Sequence, residues 1–147
     1  MASIDDLIGD FALLEDWDTR YQYLVELGEQ LAPMPDDLKT EDNRVKACMS
    51  KLWISAYPDA ADPNRIRLHG DCDTAIIKGV LAVLIDISSG HTSEEIAAID
   101  FDRLFQQLEL AEHLSPNRHV GIYAIVDKLR QQADALAHYT TADTALS

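Results

Sequence analysis

Basic side chains are scarce in this chain. Its 147 residues carry 12 lysines and arginines against 26 aspartates and glutamates, a formal charge of −14. Such a surface repels phosphate backbones, so nucleic acid is not an expected partner. Anionic membranes are disfavoured on the same ground, whereas a protein with a basic patch would be attracted. Cysteine is scarce too. Cys48 and Cys72 are the only two, too few for a disulfide framework. There are 6 glycines; none forms a phosphate-cradling loop, and no cofactor fingerprint is present. Long apolar runs are missing. The richest, "AIIKGVLAVLIDI" (75–87), is too short to cross a bilayer and contains Lys78 and Asp86. Residues 1–20 show no basic head followed by an apolar run, so no signal peptide is expected. These absences predict a cytoplasmic protein whose cysteines are thiols.

What is present reads as one globular domain over 1–147, with 47% hydrophobic and 26% charged residues. Ile4, Leu7, Ile8, Phe11 and Leu14 recur at helical spacing, with Ser3 as a cap. A second helix is predicted over about 18–31, with Tyr21, Leu24, Val25, Leu27 and Leu31 on one face. "APMPDDLKTEDN" (32–43) reads as a loop. The period then falls to two. Val45, Ala47 and Met49 alternate with polar neighbours, as do Leu52, Ile54 and Ala56, and "RIRLHG" (65–70) alternates again. Short connections predict a three-stranded antiparallel sheet. Residues 73–87 read as a buried helix capped by Asp71 or Asp73. Thr92 and Glu95 form a capping-box pattern, and a further short helix is predicted near 101–108. The last helix starts with Ser115 as cap and Pro116 at its first position. It shows Ile122, Ile125, Val126, Leu129, Ala133 and Leu136 on one face. Residues 139–147 are expected to fray. The layout is α+β, with helices packed on a small sheet.

Cys48 is the leading chemical candidate. It falls where the first strand must turn into the second, between Lys46 and Lys51, with Arg44 nearby. Cations near a thiol favour the nucleophilic thiolate. A small residue filling a corner of the core explains the same cysteine equally well. Cys72 sits between Asp71 and Asp73, which oppose a thiolate, so a small residue at a helix start is the better reading. A zinc site would need Cys48, Cys72, His69 and Asp71 to converge, and no paired-cysteine motif supports one. The other histidines are scattered. Arg118 lies in the first turn of the last helix, where a cation opposes the helix dipole. It pairs with a carboxylate or an incoming anionic sulfur, or it is simply solvated.

Four segments carry a resemblance. "RVKACMSKLWI" (44–54) resembles the active-cysteine segment of the SufE family, matching at Val45, Cys48, Ser50 and Trp53, with Ala47 where glycine is usual. "LHGDCDTAIIKGVLAVL" (68–84), "LAEHLSPNRHVGIYAI" (110–125) and "WDTRYQYLVELGEQL" (17–31) resemble three further family segments. The four follow the family's order and together span nearly the whole chain.

The resemblance implies a fold like that of the IscU-type scaffold proteins. It implies a sulfur acceptor, not itself an enzyme, that takes sulfur from a pyridoxal-phosphate cysteine desulfurase of the SufS or CsdA kind. Cys48 would hold that sulfur as a persulfide and pass it to an iron–sulfur scaffold or another acceptor. The chain would also stimulate the desulfurase. It implies no cofactor and no metal in this chain, the pyridoxal phosphate belonging to the partner. Asp71, Lys78 and Arg118 match family positions near the persulfide site. Ala47 would be strained at a positive φ. Cys72 stands where serine or alanine is usual and is expected to be inert. The resting loop should fold its sulfur against Trp53 and the final helix and swing out on docking. Two other readings remain open: a scaffold that itself binds iron or zinc, and an interaction domain with Cys48 in its core. The oligomeric state is open as well, a homodimer included.

Overall fold

The computed structural model describes residues 4–48 and 50–146, with all their side chains except those of Ile4, Ala111, Glu112, Asn117, Arg118 and residues 139–146. Ser3, the expected cap of the first helix, and Met49 lie outside the described residues. Helix α1 is Ile4–Ala12 and α2 is Trp17–Glu29. Asp16 starts α2: its carboxylate accepts the Thr19 amide at 2.8 Å, meeting one of the unpaired amides of the first turn. A single 3₁₀ turn, Asp36–Leu38, interrupts the loop that follows.

Among the described residues two strands form the sheet, β1 (Leu52–Pro58) and β2 (Ile66–Cys72). They pair antiparallel, with Leu52 opposite Cys72 and Pro58 opposite Ile66. The third strand expected over 44–49 is reduced to one bridge, Arg44 with Trp53. The Val45 amide donates to the Leu52 carbonyl at 2.9 Å, and the Ile54 amide to the Asn43 carbonyl at 2.9 Å. Beyond Val45 the chain turns, the Cys48 amide reaching back to the Val45 carbonyl at 3.3 Å. The alternation of apolar residues was real, but the return path crosses the end of β1 toward β2, so pairing stops after one rung.

Helix α3 is Ala75–Ser88, followed by α4 (Ser93–Ala97), α5 (Phe101–Gln107), α6 (Leu110–His113) and α7 (Pro116–Leu146). Pro116 does open α7, and the Thr92–Glu95 capping box is formed in both directions. The backbone of α7 is helical to Leu146. Neither Asp71 nor Asp73 caps α3. The N-cap residue is Thr74, without a side-chain cap bond. Asp73 is committed to the Lys51 amide and Asp71 to two lysines.

Leu52 and Ile54 of β1, and Ile66, Leu68 and Cys72 of β2, turn to one face and are buried. Helix α3 covers β2 there and α7 covers β1. Ile122, Ile125, Val126, Leu129 and Ala133 of α7 are all buried, as their spacing predicted. The opposite face carries Trp53, Tyr57, Arg67, His69 and Asp71, all at least partly exposed. Helix α2 lies against α3 so closely that glycine is required at the crossing. A Cβ on Gly79 would stand 2.1 Å from the Leu24 carbonyl oxygen, and one on Gly28 would stand 2.8 Å from the Gly79 nitrogen.

This crossing sets a test. Gly79→Ala should destabilise the fold by about 3 kcal/mol or more, since backbone rather than a movable side chain is in the way. Gly9→Ala, with nothing within 4 Å of the new methyl, should stabilise α1 by about 0.5–1 kcal/mol. Urea unfolding of the two variants measures both, and equal midpoints would contradict the crossing.

Candidate functional site: a sheltered cysteine at the end of the sheet

The register brings residue 51 beside residue 73, so the loop carrying Cys48 closes onto the end of β2. The Lys51 amide donates to the Asp73 carboxylate at 3.0 Å, and the Asp73 amide to the Lys51 carbonyl at 3.1 Å. The Ser50 and Thr74 hydroxyls share a hydrogen bond. Helix α7 grips the other end of the loop. Lys128 donates to the Asp42 carbonyl at 2.6 Å and Gln132 to the Asn43 side chain at 3.0 Å.

Held this way, Cys48 is buried, with 7% of its surface exposed. Its sulfur lies against α7 at Gly121. The three atoms nearest to a Cβ on Gly121 would all belong to Cys48, with Sγ at 3.3 Å and Cα and Cβ at 3.9 Å. The bare helix surface is therefore the ceiling of the sulfur's pocket. Ala47 does not need the conformational freedom of glycine: among the described residues, Glu109 is the only non-glycine at positive φ.

Cys72 is the second buried thiol of the same core cluster, and both cysteines are free. Burial pushes the Cys72 thiol up to about 11; the Thr74 amide, at 3.5 Å from its sulfur, opposes this, while Cys48 and Asp73 add to it. Cys72 is thus a neutral thiol near pH 7.

Asp71 and Cys72 point to opposite faces of β2, as neighbours in a strand must. His69 shares the Asp71 face, stacked on Tyr57 with ring centroids 4.4 Å apart. The four residues considered for zinc are therefore divided by the strand, and among the described residues no group of three potential ligands comes together. Asp71 is instead clamped between Lys39 at 3.0 Å and Lys78 at 3.2 Å. Its partial burial works against the charge, but Lys39, the Cys72 amide and Lys78 outweigh it and hold the carboxyl below the usual range. The Lys39 ammonium also lies 5.8 Å from the centre of the Trp53 ring. Trp53 thus sits under Lys39 on the outer face of β1, and the final helix supplies the cover expected for the sulfur. Arg118 is in the first turn of α7, three positions before Gly121; its side chain lies outside the described residues.

No sequence pattern marked Lys39, an isolated loop lysine, or Gly121 as the sulfur's ceiling. A groove of about 530 Å³ runs beside the loop, between Arg44, Lys46 and Ala47 on one side and Ala124 and Lys128 on the other. Val120, next to Gly121, is 59% exposed.

The arrangement defines a class: an α+β protein with a single cysteine loop shut against its C-terminal helix. A hypothetical protein from Thermus thermophilus, solved in solution, shares the fold with a TM-score of 0.73, at 20% identity over 90% of this chain and 94% of that one. The SufE family profile, described as an Fe-S metabolism associated domain, matches residues 5–133. Uncharacterized SufE-like proteins of Rhizobium etli and Rhizobium meliloti are each 36% identical to this chain. The first match covers 93% of both chains, and the second covers 91% of this chain and 96% of the other. The chain belongs to the SufE family, and with it to the proteins of iron–sulfur metabolism and sulfur transfer. Among the described residues no helix is long and apolar enough to cross a membrane.

Two substitutions test the site. Gly121→Ala gains helix propensity of about 1 kcal/mol, yet its methyl crowds the closed loop. If that crowding costs the closed form about 1 kcal/mol, iodoacetamide should modify Cys48 roughly fivefold faster, and an unchanged rate would remove Gly121 as the ceiling. Asp71→Asn should lower stability at pH 7 by about 1–3 kcal/mol. The folded carboxyl titrates below its unfolded value, so its contribution is complete above about pH 4. It is lost as pH falls through the lower folded value. The gap between Asp71→Asn and the native chain in thermal melts should therefore narrow in acid.

Proposed function

We propose that this chain is a sulfur acceptor for a cysteine desulfurase, holding the sulfur as a persulfide on Cys48. One observation carries the reading: in a chain of the SufE family, the cysteine that matches the family's active segment lies in a loop with its sulfur closed against the bare helix surface at Gly121. A core cysteine would not need its own loop, pinned at both ends by bonds to Asp73, Thr74 and α7.

Docking of the desulfurase beside the loop opens it, with the groove at Arg44 and Lys46 and the exposed Val120 as the contact surface. The Cys48 thiolate then attacks the outer sulfur of the enzyme's persulfide. A sulfur–sulfur bond forms at Cys48 Sγ as the enzyme's own sulfur–sulfur bond breaks, and the enzyme's cysteine leaves as thiolate. No net oxidation occurs, so the transfer needs no cofactor in this chain. Reclosure returns the loaded sulfur to shelter until an iron–sulfur scaffold or another acceptor thiolate repeats the exchange. Arg118, one helical turn before Gly121, steadies the anionic sulfur during transfer. Asp71 acts at a distance: with Lys39 and Lys78 it fixes the end of β2 on which the loop closes. The scaffold alternative has no support, because the zinc candidates lie on two faces of one strand.

The test is incubation with a PLP-dependent desulfurase and cysteine, followed by intact-mass and peptide mass spectrometry. One added sulfur should appear on Cys48. It should be absent in Cys48→Ser, retained in Cys72→Ser and reduced in Arg118→Ala, and sulfide release by the enzyme should rise when the native chain is added. Sulfur loading that survives Cys48→Ser would defeat the proposal.

A further inference from the structure

The outer edge of β2 is unfinished. The bonds just beyond the two ends of the ladder fix its parity: the Arg65 carbonyl accepts from the Asp59 amide at 2.9 Å, and the Asp73 amide donates to the Lys51 carbonyl at 3.1 Å, so in this register the odd-numbered residues of β2 turn their main-chain groups toward β1. Even-numbered residues therefore turn their amides and carbonyls the other way. Ile66 is satisfied on that side by the His91 carbonyl and the Gly90 amide, both at 2.8 Å. The Cys72 amide takes the Asp71 carboxylate at 2.8 Å. Between them, Leu68 and Gly70 have no hydrogen-bond partner on that side among the described residues.

These two residues line a groove of about 390 Å³. Its walls are apolar, with Leu27 and Leu31 from the end of α2 and just beyond it, and Val83 and Ile85 from α3. Asp86 stands exposed at its rim with no ion-pair partner among the described residues. Arg67, also at the rim, is already bound to Asp59 at 3.2 Å.

We propose that this groove takes an extended, basic and apolar segment of a partner protein, which adds a strand to β2 beside Leu68 and Gly70. Three observations fix the occupant. Unpaired amide and carbonyl groups in a row are satisfied together by another extended main chain. The His91 bridge already occupies the first position of such a strand and then leaves it, because Ser89 is held by α3 through the Ile85 carbonyl at 2.8 Å. Among the described residues the uncompensated charge at the rim is negative, that of Asp86, on a chain of formal charge −14, so alternate cationic residues are favoured on the solvent side while small apolar ones face the walls. The site is independent of sulfur transfer to Cys48.

The experiment uses the full ¹⁵N-labelled chain and the probe acetyl-Val-Lys-Val-Lys-Val-amide at millimolar concentration. The Leu68 and Gly70 amides should shift and their hydrogen exchange should slow roughly tenfold. The same peptide with proline at its centre should leave both amides unchanged, and Asp86→Asn, at an exposed position, should weaken binding of the lysine probe. Protection of Leu68 and Gly70 equal to that of Arg67 and His69 in the free, dilute chain would overturn the proposal, since the edge would already be paired. Protection that grows with protein concentration alone would overturn it in favour of a second copy. Shifts of the Leu27 and Val83 methyls without slowed amides would overturn it in favour of a plain apolar sink.

Discussion

The pairing register of β1 with β2 is the constraint on which the site depends. Leu52 opposite Cys72 places residue 51 next to residue 73, and everything chemical gathers at that end: the Cys48 loop, the two thiols, and Asp71 with its lysines. A slip of one residue would turn Leu52 and Ile54 to the solvent face and take Cys72 out of the core. The buried side chains of α3 and α7 resist that slip, so the core stabilises the site through geometry as well as through its contact with Cys48.

Charge and packing divide the work on the two faces of the strand. On the inner face the sulfur atoms sit among aliphatic side chains, and burial keeps Cys72 protonated. On the outer face Asp71 keeps its charge because two ammonium groups are within 3.2 Å. Lys39 ties the loop after α2 to the cross-strand pair of Trp53 and Asp71. These are partly exposed ion pairs, each of modest worth; their value here is positional.

Much of this is legible in the sequence. The apolar faces of α3 and α7 and the Thr92 capping box announce themselves through residue type and spacing, and the motif around Cys48 marks the loop that the structure closes against α7. The third strand is not legible there, because alternation at Val45 and Ala47 reports which side chains are apolar and says nothing of where the chain must go next. Nor are the partners of Asp71 and Asp73, which do not cap α3 because Lys39 and the Lys51 amide, distant in sequence, hold them. Gly121 was visible as a residue but not as a ceiling, since the contact joins positions 73 residues apart. Short-range patterns carry helices and caps; the site is built from long-range pairs.

A sulfur enclosed beneath a helix reacts only in the fraction of time the loop stands open. Every 1.4 kcal/mol of closure cuts that fraction tenfold, and it does so equally for peroxide, glutathione or any other small reagent. Only a macromolecule with affinity for the open form can restore the lost reactivity, by drawing the equilibrium toward itself. On the proposed function, the bare patch at Gly121 is a filter that discriminates by binding rather than by chemistry: it would admit a docked protein and leave stray oxidants to collide with a closed door.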